Sequence, residues 1–368
     1  MRVLRRLLYR DIFSAVTFVT LGFLALLLFF DLLDELRWVN RVGNTAYTLS
    51  HALFSVALGI PQHLYELLPI TVLIGTIFVM ARLAQTSEFT IMRTSGLGPW
   101  RALATLLSVG LAFVALTFAI GDYAAPAAEN LAQKFRAEQL GQMTTGASGV
   151  WLKERQGGHS IAVNIRTIKA PAEFSNVRIF DFGANGRIAA QIHADTARVD
   201  PSGGAWQLLG VSSTRLVQDG ERLQLVRSTA QSLEWPTSIS ASMVAAASVD
   251  PDRMQTVALF QYVRHLEANG QAAQKYEIEF WRKVFYPISC LVMVVLALPF
   301  AYLHFRSGGI TGYVFGGVMT GISFFLLNNV FGYIGNLQTW SPWLTAAAPG
   351  LIYSALSLGA FAWLVLRR

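Results

Sequence analysis

Three long apolar stretches, a polar stretch over residues 125–275 and three more apolar stretches follow one another along the chain. Apolar runs of roughly 20 residues match the hydrocarbon core of a bilayer. The order predicts a membrane protein with six transmembrane helices, three plus three, and a folded domain inserted between the triplets. Composition agrees, with 53% of the 368 residues hydrophobic and 14% charged, where a soluble domain carries about 25% charged residues. A net charge of +7 could suggest nucleic acid, but the arginines stand mainly at the ends of apolar stretches, where membrane topology accounts for them. Cys290 is the only cysteine, so the insert folds without an intrachain disulfide.

The first span runs from Ile12 to Phe30 without a charge, about 28 Å as a helix. Arg2, Arg5, Arg6 and Arg10 before it resemble the start of a signal peptide. The apolar run is too long for one, and Asp31, Asp34 and Glu35 stand where small cleavage-site residues would be. It reads as an uncleaved first helix. Further spans are expected near Pro61–Leu83, Arg101–Asp122, Phe280–Leu303, Ile310–Leu337 and Trp343–Leu366. Pro69, Pro287, Pro299 and Pro349 lie within them, tolerated where neighbouring helices satisfy the freed backbone groups. Residues 1–124 thus hold spans one to three, 125–275 the insert, and 276–368 spans four to six. The N-terminal arginines, Arg82, Arg93, Arg101, Arg306, Arg367 and Arg368 fall on one side, and Arg37 and Arg41 on the other. The positive-inside rule then places both termini in the cytoplasm and the insert across the membrane.

Within the insert, Leu131, Phe135 and Leu140 recur at helical spacing after Pro126. After Gly149 the period changes to two, with turn signals at Gly157-Gly158, Asn185-Gly186, Pro201 to Gly204 and Asp219-Gly220. Strands are expected at His159–Ile165, Val177–Phe182, Ile188–Ala194, Trp206–Val211 and Leu223–Val226. Short strands between turns argue for an antiparallel sandwich, jelly roll or open half-barrel, which makes the fold class α+β. A short helix near Val257–Ala268 leads back to the fourth span.

Several chemistries are missing. No lysine follows a glycine, so there is no Walker A loop, and neither a Gly-x-Ser-x-Gly elbow nor a His-Glu-x-x-His zinc helix is present. His51, His63, His159, His193, His265 and His304 have no metal-ligand spacing, so no metal or other cofactor is expected and each reads as a local hydrogen-bonding residue. Carboxylates inside the apolar runs are sparse, Glu66 being the nearest exception, whereas proton-coupled pumps place them within the bilayer. A transporter of this kind takes its energy from a partner and is not itself an enzyme.

The loop between spans two and three, about residues 85–97, reads as a short helix. Ser87 is expected to cap it, Glu88 suits its positive end and Gly96 can close it. Phe89, Met92 and nearby Ile91 give it an apolar side, and Arg93 follows. So short a helix is marginal in water and must dock on something. Either it couples to a groove in a cytoplasmic ATPase, or it is a surface turn on lipid headgroups.

Glu88, Met92 and Gly96 in this loop resemble the Ser-Glu-x-x-x-Met-x-x-x-Gly pattern of the LptF/LptG permease family. Gly121-Asp122-Tyr123 with Pro126, Glu129, Ala132 and Arg136 resembles the stretch after the third span in its G-type branch. Glu279, Trp281 and Lys283 before the fourth span fit as well. The resemblance covers the whole chain in layout. It implies an inner-membrane subunit of a lipopolysaccharide extractor, paired with an LptF-type permease, two LptB-type ATPase subunits and an LptC-type bridge protein. It also implies that the insert is a periplasmic antiparallel β-jellyroll.

The family places basic residues near the lipid phosphates at the ends of spans one and three. By position Arg37 and Arg136 match best, with Arg41, Lys134, Arg282 and Lys283 near the same boundary. Glutamine at Gln133 departs from relatives that are basic there. Gly308, Gly312 and Gly316 are spaced by four, as are Gly317 and Gly321, a pattern that lets helices approach closely in lipid. The resemblance puts spans one and five at the dimer seam, where the lipid enters. A contrasting reading is a membrane-anchored structural or signalling protein whose β-domain binds a partner.

Overall fold

The computed structural model describes residues 2–41, 48–96, 98–140, 143–144, 149–156, 158–170, 172–183, 186–199, 204–219, 222–248, 250–302, 310–338 and 340–366. These form two units, one of residues 1–129 with 274–368 and one of residues 130–273.

The first unit is helical. Its elements are α1 (Arg2–Arg41), α2 (Leu49–Gln85), α3 (Glu88–Thr94), α4 (Pro99–Ala119), a π turn (Ile120–Ala124), α5 (Ala125–Leu140, divided between the units), α8 (Gln274–Ala297), a 3₁₀ turn (Leu298–Tyr302), α9 (Ile310–Leu337) and α10 (Pro342–Leu366). Among the described residues six helical stretches are long and apolar enough to cross a membrane, as expected. Several helices extend beyond the expected spans, α1 at both ends and α8 at its start. The second span starts at Leu49 and continues through Pro61 and Pro69. The third span does not end at Asp122, because the π turn joins α4 to α5 in one uninterrupted helical run.

Proline explains that π turn. Pro126 has no N–H, and its ring crowds the carbonyl four residues back, which is Asp122. Widening the helix locally relieves the crowding, and Ala125 N–H bonds back to the Ile120 carbonyl in the π pattern.

α2 is the central helix, packed by α1, α8, α9 and α3. Glycines set the closest approaches. A Cβ at Gly75 would stand 2.8 Å from the backbone of Val16 on α1, and one at Gly110 would stand 3.1 Å from Leu291 Cα on α8. One core cluster joins Ile12, Val16, Leu68, Met80, Leu106 and Val294.

The second unit is a seven-stranded antiparallel sheet with helices α6 (Ala241–Ser248) and α7 (Thr256–Ala268). Its strands are β1 (Met143–Thr144), β2 (Val150–Gln156), β3 (His159–Ala170), β4 (Glu173–Phe182), β5 (Ile188–Val199), β6 (Gly204–Asp219) and β7 (Arg222–Thr237). The sequence leaves the strand order open. From β3 to β7 each strand pairs with its neighbour in sequence, while β1 and β2 share one edge of β3, so the sheet has six strand positions. β2 is absent from the sequence reading. It alternates Val150, Leu152 and Glu154 inward, and the charges of Lys153, Glu154 and Arg155 hide that period.

Glu154 explains how the sheet curls. It is 3% exposed and accepts hydrogen bonds from Thr237 Oγ1 at 2.6 Å and Ser238 N at 2.6 Å, while Gln156 Nε2 donates to the Pro236 carbonyl at 2.9 Å. Side chains on the β2 edge therefore grip the end of β7, the other edge. The two edges are joined there by side chains rather than by a strand ladder. Its core holds Phe174, Trp206 and Trp235, with Trp206 Nε1 donating to the Ile239 carbonyl at 2.8 Å.

Candidate functional site

The loop between α2 and α4 folds as expected into a short helix, but its apolar side faces the chain itself. Ser87 adopts φ +60° and makes no side-chain capping bond, correcting its expected role as a cap. Gly96, at φ +97°, donates its N–H to the Arg93 carbonyl at 3.0 Å and closes the helix. Phe89 and Met92 are buried in the core cluster with Met80, Leu83 and Leu298. The Phe89 ring meets Tyr302 edge-on at 5.1 Å, and Arg93 lies over the same Tyr302 ring at 5.2 Å. The helix is thus clamped on the 3₁₀ end of the fourth span. The surface it presents outward includes Glu88, Thr90, Ile91, Arg93 and Thr94, with Ile91 63% exposed. The spacing of Phe89 and Met92 marks an apolar face, but only the fold shows what covers it.

Salt and hydrogen bonds fix α1 on α2 along its length. Asp11 pairs with Arg82, Thr20 Oγ1 donates to Thr71 Oγ1 at 2.9 Å in the buried middle, and Asp31 Oδ2 meets His63 Nε2 at 2.6 Å further on. Tyr9 and Phe13 also reach α4, at Ser108 and Phe113. Glu66 holds Gln62 Nε2 at 2.7 Å on its own helix.

The six expected cations fall into three groups. Arg37 is exposed on α1 and pairs with equally exposed Asp34 at 3.3 Å, a contact worth about 0–1 kcal/mol and easily exchanged. Lys134 is exposed on α5. The side chains of Arg41 and Arg136 lie outside the described residues, although their backbones belong to α1 and α5. Arg282 and Lys283 make hydrogen bonds within the bundle. Arg282 Nη1 donates to Glu279 Oε1 at 2.7 Å, and Nη2 reaches Asn329 Oδ1 on α9 at 3.5 Å. Lys283 is 6% exposed, and its Nζ donates to the Gly121 carbonyl of the π turn at 3.3 Å.

The glycines of α9 divide too. A Cβ at Gly317 would stand 2.8 Å from Ile77 Cδ1, and one at Gly321 would stand 2.8 Å from Ile70 Cγ2, so these two seat α9 on α2. A Cβ built at Gly312 or Gly316 would meet none of the described residues beyond its own helical turn within 4 Å. Gly308 lies outside the described residues. The most apolar windows of α1 and α9 are each 22% buried, against 72% for α2. Two spans therefore offer wide uncovered faces.

Among the described residues no group of three or more His, Cys, Asp or Glu is placed to hold a metal ion. The arrangement is mechanical: a clamped helix at one end of the bundle, cations at the far end of α1, and open helix faces between.

Residues 6–367 match the family model of the lipopolysaccharide export system permease LptF/LptG. The chain is 27% identical to the lipopolysaccharide export system permease protein LptG of Escherichia coli K12, over 100% of this chain and 98% of that protein. It is 26% identical to the LptG protein of Haemophilus influenzae over 89% of each.

Proposed function

The chain belongs to the LptF/LptG family of lipopolysaccharide export permeases, and from that premise we propose how its parts divide the work. It is a permease subunit of a lipopolysaccharide export system and a multi-pass protein of the inner membrane. Both termini and α3 lie in the cytoplasm, and the β unit in the periplasm. A separate LptB-type ATPase, present in two copies, binds the outward face of α3 at Glu88 and Ile91 and supplies the energy. Phe89 and Met92 act behind that face, and with Arg93 over the Tyr302 ring they carry its movement into the fourth span. An LptF-type permease covers the open faces of α1 and α9, including Gly312 and Gly316, and lipopolysaccharide enters beside them. Arg37, Arg41, Lys134 and Arg136 are each phosphate contacts for the lipid headgroup. The β unit hands the lipid towards an LptC-type bridge protein.

The observation that carries this reading is the two-faced α3, with Phe89 and Met92 at 4% and 5% exposure and Ile91 at 63%. A helix so anchored on its own bundle can push it when its other face is gripped. Copurification tests the reading. Glu88→Arg reverses the charge at the helix N-terminal end and should remove most of the ATPase from the purified complex; an unchanged subunit ratio would refute the coupling role.

A further inference from the structure

The motif residues Gly121, Pro126 and Lys283 meet at a place that neither ATPase coupling nor lipid binding accounts for. In the π pattern each N–H bonds to the carbonyl five residues back, as Ala125 does to Ile120. The next residue is Pro126, which has no N–H to give, and the carbonyl five residues before it belongs to Gly121. That carbonyl receives the Lys283 ammonium from α8 at 3.3 Å in a buried setting. Around the contact, Lys283 Nζ stands 6.0 Å from the centre of the Tyr65 ring, and Tyr65 lies 5.0 Å from Tyr286, whose hydroxyl donates to the Glu66 carbonyl at 2.7 Å. Any side chain at Gly121 would collide with the Tyr65 ring. Three spans close on one peptide group. A charged side chain buried to this degree is costly unless it is hydrogen-bonded.

We infer that Lys283 is a positioning residue: it supplies to the Gly121 carbonyl the donor that Pro126 withholds, and so pins the π turn of the third span against the fourth. The lysine and the proline are then one device, and either both are needed or neither is. This goes beyond the roles proposed above, and only its functional readout uses the export activity.

The test is a suppressor experiment on the full complex in proteoliposomes, reading ATP-dependent lipopolysaccharide release and assembly yield. Lys283→Met strands a buried carbonyl and should lower release or yield about ten-fold, the factor expected for an unsatisfied buried acceptor. Lys283→Arg keeps a donor and should stay within about three-fold of wild type. The decisive variant is Pro126→Ala combined with Lys283→Met, in which the backbone N–H restored at position 126 can reach the Gly121 carbonyl without any cation. Recovery of release, or of assembly where the single variant does not assemble, supports the inference. A double variant no better than Lys283→Met overturns it, and full activity of Lys283→Met alone does so equally. If the double variant stays inactive while Lys283→Arg works, the positive charge itself is required, and Lys283 acts on the lipid phosphates instead.

Discussion

α2 and α9 are both long apolar helices, yet α2 is covered on almost every side and α9 on few. In water the uncovered side chains of α9, such as Phe315, Leu326 and Tyr333, would cost about 25 cal/mol for each Å² left exposed. In a bilayer they cost little, because lipid tails are as apolar as leucine. Burial in this unit therefore follows shape rather than hydropathy. Where α9 carries Gly317 and Gly321 it sits on Ile77 and Ile70 of α2; where it carries Gly312 and Gly316 a built Cβ would meet none of the described residues beyond its own helical turn within 4 Å. The same division appears on α3, whose Phe89 is covered and whose Ile91 is not. An uncovered face is room for lipid or for another subunit.

The largest effect that could break this comparison is expected on α3. Phe89→Ala removes a ring packed on Tyr302 within the core cluster and should destabilise the purified subunit by about 3 kcal/mol. Ile91→Ala should leave its melting temperature unchanged and instead weaken ATPase capture. Equal melting shifts for the two would erase the distinction between the faces. A smaller effect is expected on α9. Gly321→Leu drives a side chain into Ile70 and should cost about 1–3 kcal/mol. Gly312→Leu meets only open space and should leave the subunit's own stability alone while lowering recovery of the second permease. A thermal shift for Gly312→Leu matching that of Gly321→Leu would place both glycines inside the fold.

Much of this was legible in the sequence. Charge-poor runs announced the six helices, and turn residues with a period of two announced the sheet. What stayed hidden depends on partners remote in the chain. Pro126 reads as a helix start because proline breaks helices, whereas here a π turn absorbs it and the donor that completes the turn comes from 162 positions beyond Gly121. Lys283 reads as an interfacial cation for the same reason: charge is visible in a sequence, and the carbonyl that takes it is not. Arg37, by contrast, is as exposed as its place at the end of a span suggests. Glu154 interrupts the alternation of β2 because its carboxylate points inward to bind Thr237 and Ser238 across the sheet opening.

The comparison sharpens further in the β unit, where covering a polar group has a consequence in pH. His265 on α7 is 8% exposed, and burial pushes its imidazole below the ordinary value of 6.5, with the nearby Glu154 charge acting the other way. The folded unit thus binds a proton at His265 less readily than the unfolded chain does. Its stabilising contribution is full above about pH 6.5 and falls as the pH drops towards the depressed folded value, since the unfolded state then takes up the proton first. Amide exchange on α7 and β2, corrected for intrinsic rates, should show protection falling between about pH 7.5 and 5.5. His265→Gln should flatten that slope, because glutamine does not titrate and Asn269 still bonds the residue-265 carbonyl, as it does at 2.9 Å here. An equal slope in the variant would move the pH response to another group and leave His265 as packing alone.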